Sequence, residues 1–113
     1  MEFQVKKAGN VAVITIESTS LGGPGANQLS DEIRTVMDAD IVNFVINMEK
    51  VEWMNSSGLG ILIAALNTVK RKNGELCLLN IREKTEQLLK ITKLDRVFKI
   101  FDSEEKAVAE FTK

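Results

Sequence analysis

Short apolar runs alternate along this chain with segments patterned for helices, and that alternation constrains the fold more than any other feature. Val11-Ala12-Val13-Ile14-Thr15-Ile16, Phe44-Val45-Ile46-Asn47-Met48 and Leu76-Cys77-Leu78-Leu79 read as buried strands, being short and nearly continuous in apolar residues. Between and after them the apolar positions change period. Leu29, Ile33, Val36 and Met37 fall on one helix face, and the stretch from Ser57 to Lys72 is apolar on most faces until Asn67. Thr85 to Lys93 reads as a helix with Leu88, Leu89 and Ile91 inward, and Val97-Phe98-Lys99-Ile100-Phe101 as a last strand. Asp102-Ser103-Glu104-Glu105 has the cap and acidic first turn of a final helix, whose buried stripe is Ala107, Val108 and Phe111. Strands that alternate with helices need crossover connections, which are right-handed and give a parallel sheet. Only the start departs from this rhythm: Phe3-Gln4-Val5-Lys6 alternates apolar and polar, and Gly9-Asn10 turns it into the next strand. The expectation is an α/β fold with a mixed, mostly parallel sheet of about five strands and four helices. Its first strand is antiparallel near an edge, and Phe44–Met48 is central.

The connections have their own chemistry. Asn73-Gly74 is expected to close the long helix, with glycine supplying the left-handed residue. Asn27 or Ser30 is expected to cap the helix before it. Leu21-Gly22-Gly23-Pro24-Gly25-Ala26-Asn27 could in principle cradle phosphate, but the lysine and hydroxyl of a Walker loop and the three-glycine dinucleotide spacing are missing. A turned or flexible connection is therefore favoured over a nucleotide site at Gly22–Gly25.

Composition removes several function classes. The 113 residues, 44% hydrophobic and 27% charged, fit one globular domain spanning 1–113. A net charge of −1 argues against direct nucleic-acid binding, and the dense basic triplet Lys70-Arg71-Lys72 suits the negative end of a helix. There is no histidine, so hydrolase triads and most metal sites lose their commonest member; neither enzymatic chemistry nor a cofactor or metal is expected. The single cysteine, Cys77, reads as a small core residue and permits no intrachain disulfide. No apolar run approaches the roughly 18 residues that span a bilayer, and the first residues carry no signal-peptide pattern. A cytoplasmic location without a membrane span is expected.

The stretch that needs explaining is Trp53-Met54-Asn55-Ser56-Ser57-Gly58-Leu59-Gly60, where a loop becomes the long helix. A helix start exposes unpaired N–H groups and a partial positive charge, which suits an added anion. From spacing alone Ser56 and Ser57 read as caps. Asn55 is itself a good cap, however, which leaves two hydroxyls beyond what capping requires. Gly58 and Gly60 each cost a first turn about 1 kcal/mol against alanine, which makes sense where another backbone approaches or packing excludes a side chain. Trp53 and Met54 are either core or part of an apolar docking surface.

Met54-Asn55-Ser56-Ser57-Gly58-Leu59-Gly60-Ile61-Leu62 resembles the phosphorylation-site motif of the STAS domain, in particular of the bacterial anti-sigma factor antagonists, typically Asp-Ser-Ser-Gly-Leu-Gly. Gly74-Glu75-Leu76, Leu94-Asp95-Arg96-Val97-Phe98 and Phe101-Asp102-Ser103-Glu104-Glu105-Lys106-Ala107 resemble that family's later turn, last strand and last helix. The resemblance implies a STAS-type fold and a binding switch. Such antagonists bind an anti-sigma factor that is also a serine kinase, freeing a sigma factor. The kinase phosphorylates the first serine, here Ser56; the antagonist lets go, and a PP2C-type phosphatase restores it. Asn55, Ser57, Gly58 and Leu59 are the partner contacts implied around Ser56. The chain departs from the family at two places: Asn55 replaces the usual aspartate, and Glu17-Ser18-Thr19-Ser20-Leu21-Gly22-Gly23 stands where a Gly-Glu-Leu-Asp-like segment is common. These departures keep open a second reading, a non-switching STAS scaffold of a signalling or lipid-transport complex.

Overall fold

The computed structural model describes residues 3–22 and 28–111. In chain order the elements are β1 (Phe3–Ala8), β2 (Val11–Ile16), β3 (Ser20–Leu21), α1 (Gln28–Met37), β4 (Asn43–Asn47), β5 (Trp53–Met54), α2 (Ser56–Lys70), β6 (Glu75–Leu79), α3 (Glu83–Ile91), a 3₁₀ turn (Leu94–Arg96), β7 (Lys99–Phe101) and α4 (Glu104–Phe111). The main sheet runs β1-β2-β4-β6-β7. Only β1 and β2 are antiparallel, closed by a turn with Gly9 at φ +63°, where glycine avoids the clash a side chain would meet. The later pairings, β2 with β4, β4 with β6 and β6 with β7, are parallel. The alternation in the sequence thus produced the mixed sheet it pointed to, with β1 at an edge and β4 in the centre.

Because side chains alternate across a strand, the sheet has two different faces. On one, Ala12, Ile14, Ile16, Phe44, Ile46, Leu76 and Leu78 pack against Leu29, Ile33, Ile61, Leu62, Ala65 and Leu89 from α1, α2 and α3. On the other, Val11, Val13, Val45, Cys77 and Leu79 are covered by Ala107 of α4, with Phe101, Val108 and Phe111 at its margin. Strands β2, β4 and β6 are buried on both faces, which is why their sequences are continuously apolar rather than alternating.

Several local expectations are corrected. Ile91 does not face inward: it is 78% exposed. Thr85 and Leu89, four apart, form the buried stripe of α3, and a residue two beyond Leu89 points to the opposite side of the helix. The left-handed residue after α2 is Asn73, at φ +60°, and not Gly74. Gly74 instead lies so close to Val42 that a Cβ would overlap its carbonyl oxygen. Ser30 does not cap α1 but sits inside it, buried, with no hydrogen-bond partner for its hydroxyl; Asn27 lies outside the described residues. The last strand is shorter than expected, since Leu94–Arg96 form a 3₁₀ turn entered through Lys93 at φ +63°.

Candidate functional site at the start of helix α2

Helix α2 begins beneath a small second sheet. Its two strands, β3 and β5, pair in parallel as Ser20 with Trp53 and Leu21 with Met54. The Glu52 and Trp53 N–H groups both donate to the Thr19 carbonyl, at 2.8 and 3.3 Å. This pair brings the chain after β2 across the helix start. Met54 turns into the core, whereas Trp53 is 49% exposed. The two residues read together in the sequence therefore split between core and surface.

Asn55 is the N-cap, with extended backbone at φ −110° and ψ −171°. Its Oδ1 accepts from the Gly58 N–H at 3.1 Å and from the Ser57 hydroxyl at 2.6 Å. Capping thus uses Asn55, as its residue type suggested, and engages Ser57 as well. Ser56, the first residue of the helix, is exposed, and its hydroxyl makes no hydrogen bond among the described residues. No acidic side chain occupies the first turn of α2, so its partial positive charge is not offset from within that turn. By contrast, α1, α3 and α4 carry Asp31, Glu83 and Glu86, and Glu104 and Glu105 there.

The glycines around this start differ in purpose. Gly58 is buried, and a Cβ would overlap the Leu21 carbonyl oxygen and lie 3.0 Å from the Met54 Cβ. Close backbone approach explains it. Gly22, at φ +152°, lies over the cap: a side chain there would overlap Asn55 Oδ1 and come within 3.0 Å of Ser57 Oγ. Gly60 is the correction: it is exposed, and among the described residues a Cβ there would meet nothing within 4 Å. Of the residues expected around Ser56, Asn55 and Ser57 are exposed, while Gly58 and Leu59 lie beneath the surface. Gly22 and the β3–β5 pair were missed. Two-residue strands carry no periodicity, and only the departure from the family pattern at Glu17–Gly23 pointed there.

Among the described residues no group of three or more histidine, cysteine, aspartate or glutamate side chains is placed to hold a metal ion. None of the described helices is long and apolar enough to cross a membrane. Gly23–Gly25 of the glycine-rich loop lie outside the described residues, and Gly22 is spent on the cap. Cys77 is fully buried, and burial foremost, with Glu110 adding and Lys99 opposing, pushes its thiol up to about 12.

An anti-sigma F factor antagonist of Paenibacillus polymyxa is 25% identical over 115 residues, covering 97% of this chain and 96% of that one. An anti-sigma-B factor antagonist of Staphylococcus aureus is 27% identical over 93 residues, covering 81% and 76%. The solved structure of the anti-sigma factor antagonist SpoIIAA in its unphosphorylated form superposes with a TM-score of 0.81 at 20% identity, covering 98% of this chain and 96% of that one. At that identity the likeness establishes a shared fold. The family model of the STAS domain matches residues 2–107. With that match running from the edge strand into the final helix, over the same sheet and the same loop-to-helix junction, this chain belongs to the STAS domain family.

Proposed function

We propose that the chain is an anti-sigma factor antagonist that binds an anti-sigma factor serine kinase while Ser56 is unmodified and is released when Ser56 is phosphorylated. A PP2C-type phosphatase resets it. The observation that carries this reading is the Ser56 hydroxyl: exposed, at the first position of α2, and without a hydrogen bond among the described residues. Asn55 already caps the helix, so capping among the described residues does not use the Ser56 oxygen. The names of the relatives support the same role.

The physics of the switch is local. A phosphoserine adds about −1.5 to −2 charges at neutral pH. At a helix start with no acidic first turn that charge is tolerated by the domain itself. Inside an interface built for a neutral hydroxyl it meets desolvation and any partner carboxylate. Asn55 and Ser57, exposed on either side, are the contacts around the phosphoacceptor, held from beneath by Gly58 and Leu59.

The test is to incubate the chain with a serine-kinase anti-sigma factor and ATP and to map phosphate by mass spectrometry. Label on Ser56, abolished in Ser56→Ala, supports the switch. Label elsewhere, or none with an active kinase, favours the non-switching scaffold. Ser56→Glu should weaken binding by roughly tenfold or more while circular dichroism is unchanged. Unaltered affinity would remove the charge mechanism.

A further inference from the structure

The connections that leave the strand ends of the main sheet do not all go the same way. After β2, β4 and β6 the chain leads on to α1, α2 and α3, which share one face of the sheet; after β7 it leads to α4, on the other. Strands β6 and β7 are parallel neighbours, so their C-terminal ends send the chain to opposite faces. At such a switch point neither following helix covers the gap above the strand ends, and open α/β sheets hold small ligands in the crevice that results. Here the crevice is a cavity of about 380 Å³ lined by Asn80, Ile81, Glu86, Ile100, Phe101 and Asp102. That volume is enough for a small organic molecule. The two strand ends are joined beneath it, since the Asn80 N–H donates to the Phe101 carbonyl at 3.0 Å and Asn80 turns the chain towards α3 through a left-handed backbone at φ +57°.

The lining defines the chemistry of the occupant. The Asn80 side-chain amide donates to Asn47 Oδ1 at 3.4 Å, which leaves its own Oδ1 without a hydrogen bond among the described residues. The polar side-chain atoms free to meet a ligand are therefore acceptors: Asn80 Oδ1 and the carboxylates of Glu86 and Asp102. No lysine or arginine is among the lining residues. Each carboxylate pairs with a lysine one turn further along, Glu86 with Lys90 at 2.9 Å and Asp102 with Lys106 at 3.6 Å. Such exposed pairs contribute little, so another cation can replace either lysine at small cost. The rest of the wall is apolar: Ile81 and Phe101, both half-buried, and Ile100, an isoleucine left 38% exposed on its strand. We propose that this cavity binds a small organic amine, its ammonium held by Glu86, Asp102 and Asn80 Oδ1 and its hydrocarbon part lying on Ile81 and Ile100. An acidic or neutral ligand would leave the two carboxylates unmatched, and a metal ion would leave the apolar wall unused. The site shares no residue with the Ser56 switch and stands independently of it.

The experiment titrates the full chain with pentylamine, followed by amide correlation NMR, beside pentanol, pentanoate and magnesium chloride at constant ionic strength. The amine should shift the amides of Asn80, Ile81, Ile100, Phe101 and Asp102 and saturate in roughly the millimolar range expected of so small a ligand. Pentanol should bind at least tenfold more weakly, and pentanoate should leave these amides unmoved. Glu86→Gln and Asp102→Asn together should keep the wild-type spectrum away from the cavity and lower amine affinity at least tenfold. Shifts that never saturate, or that scatter over other surface carboxylates, overturn the site. Equal binding of pentanol, or amine binding unchanged in the double variant, removes the amine as its ligand class. If magnesium moves the same amides and displaces the amine, the site takes a divalent cation and the proposal is wrong.

Discussion

At the scale of single residues, Asn55 joins the cap to the loop that covers it. One oxygen, Oδ1, accepts from Gly58 and Ser57 while the backbone at Gly22 closes over it. Asn55→Ala leaves the N–H of the buried Gly58 without its acceptor and should cost about 1 kcal/mol. In a domain of this size that is a fall of about 4–8 °C in melting temperature, read by thermal denaturation. Asn55→Asp keeps an acceptor and adds a charge of the favourable sign at a helix start, so it should melt at or above the wild type. A fall of several degrees in the aspartate variant would show that the amide nitrogen, and not Oδ1, carries the interaction. Ser56→Ala should change stability by no more than about 0.5 kcal/mol, since that hydroxyl makes no hydrogen bond among the described residues. The capping role of Asn55 was legible because few residue types satisfy a helix start. Which of the two serines was left over was not, because the choice depends on a 2.6 Å contact between side chains two residues apart.

At the scale of elements, α2 is held at both ends by glycines set against other backbone, that of β3 at its start and that of the residue before β4 after its end. Gly58 lies against the Leu21 carbonyl and Gly74 against the Val42 carbonyl, and the chain re-enters the sheet where the Glu75 N–H donates to Val42 at 3.1 Å. A methyl at either place can be accommodated only by moving backbone. Gly58→Ala and Gly74→Ala should each lower the urea midpoint by the equivalent of about 2 kcal/mol or more. Gly60→Ala on the same helix should raise it by up to about 1 kcal/mol. Three identical substitutions with this pattern of signs separate packing from propensity; a uniform loss at all three would contradict it. The sequence made the helices and long strands legible because each buries a continuous run or a stripe. It did not make β3 and β5 legible, since Ser20–Leu21 and Trp53–Met54 are held by one pairing register and the Thr19 carbonyl. Gly74 was misread for a similar reason: glycine after a helix suggests a left-handed cap, but Asn73 takes that conformation and leaves Gly74 for the close approach.

At the scale of the whole molecule, the two faces of the sheet are unequally covered, and this asymmetry can be read through Cys77. Among the described residues three helices bury one face, whereas α4 alone covers the other, tied to the edge strand by the exposed Lys6–Glu104 ion pair and to β7 by Lys99–Glu110 at 3.3 Å. Exposed pairs of this kind contribute little, so the attachment of α4 rests on Ala107, Val108 and Phe111. Cys77 lies beneath this contact in β6, and its thiol is held up to about 12 against a reference of 9.0. Below about pH 9 the thiol is protonated in both folded and unfolded chains and contributes no pH dependence. Between pH 9 and 12 the unfolded chain releases a proton that the folded chain keeps, so stability falls as pH rises through that window. At pH 8, iodoacetamide should therefore modify Cys77 slowly in buffer and rapidly in urea, followed by mass spectrometry. Phe111→Ala should speed modification in buffer by a larger factor than its loss of global stability accounts for, because α4 can then open while the other face remains packed. Equal factors would mean that α4 opens only with the whole molecule. Rapid modification of the folded wild type would mean that α4 does not close this face.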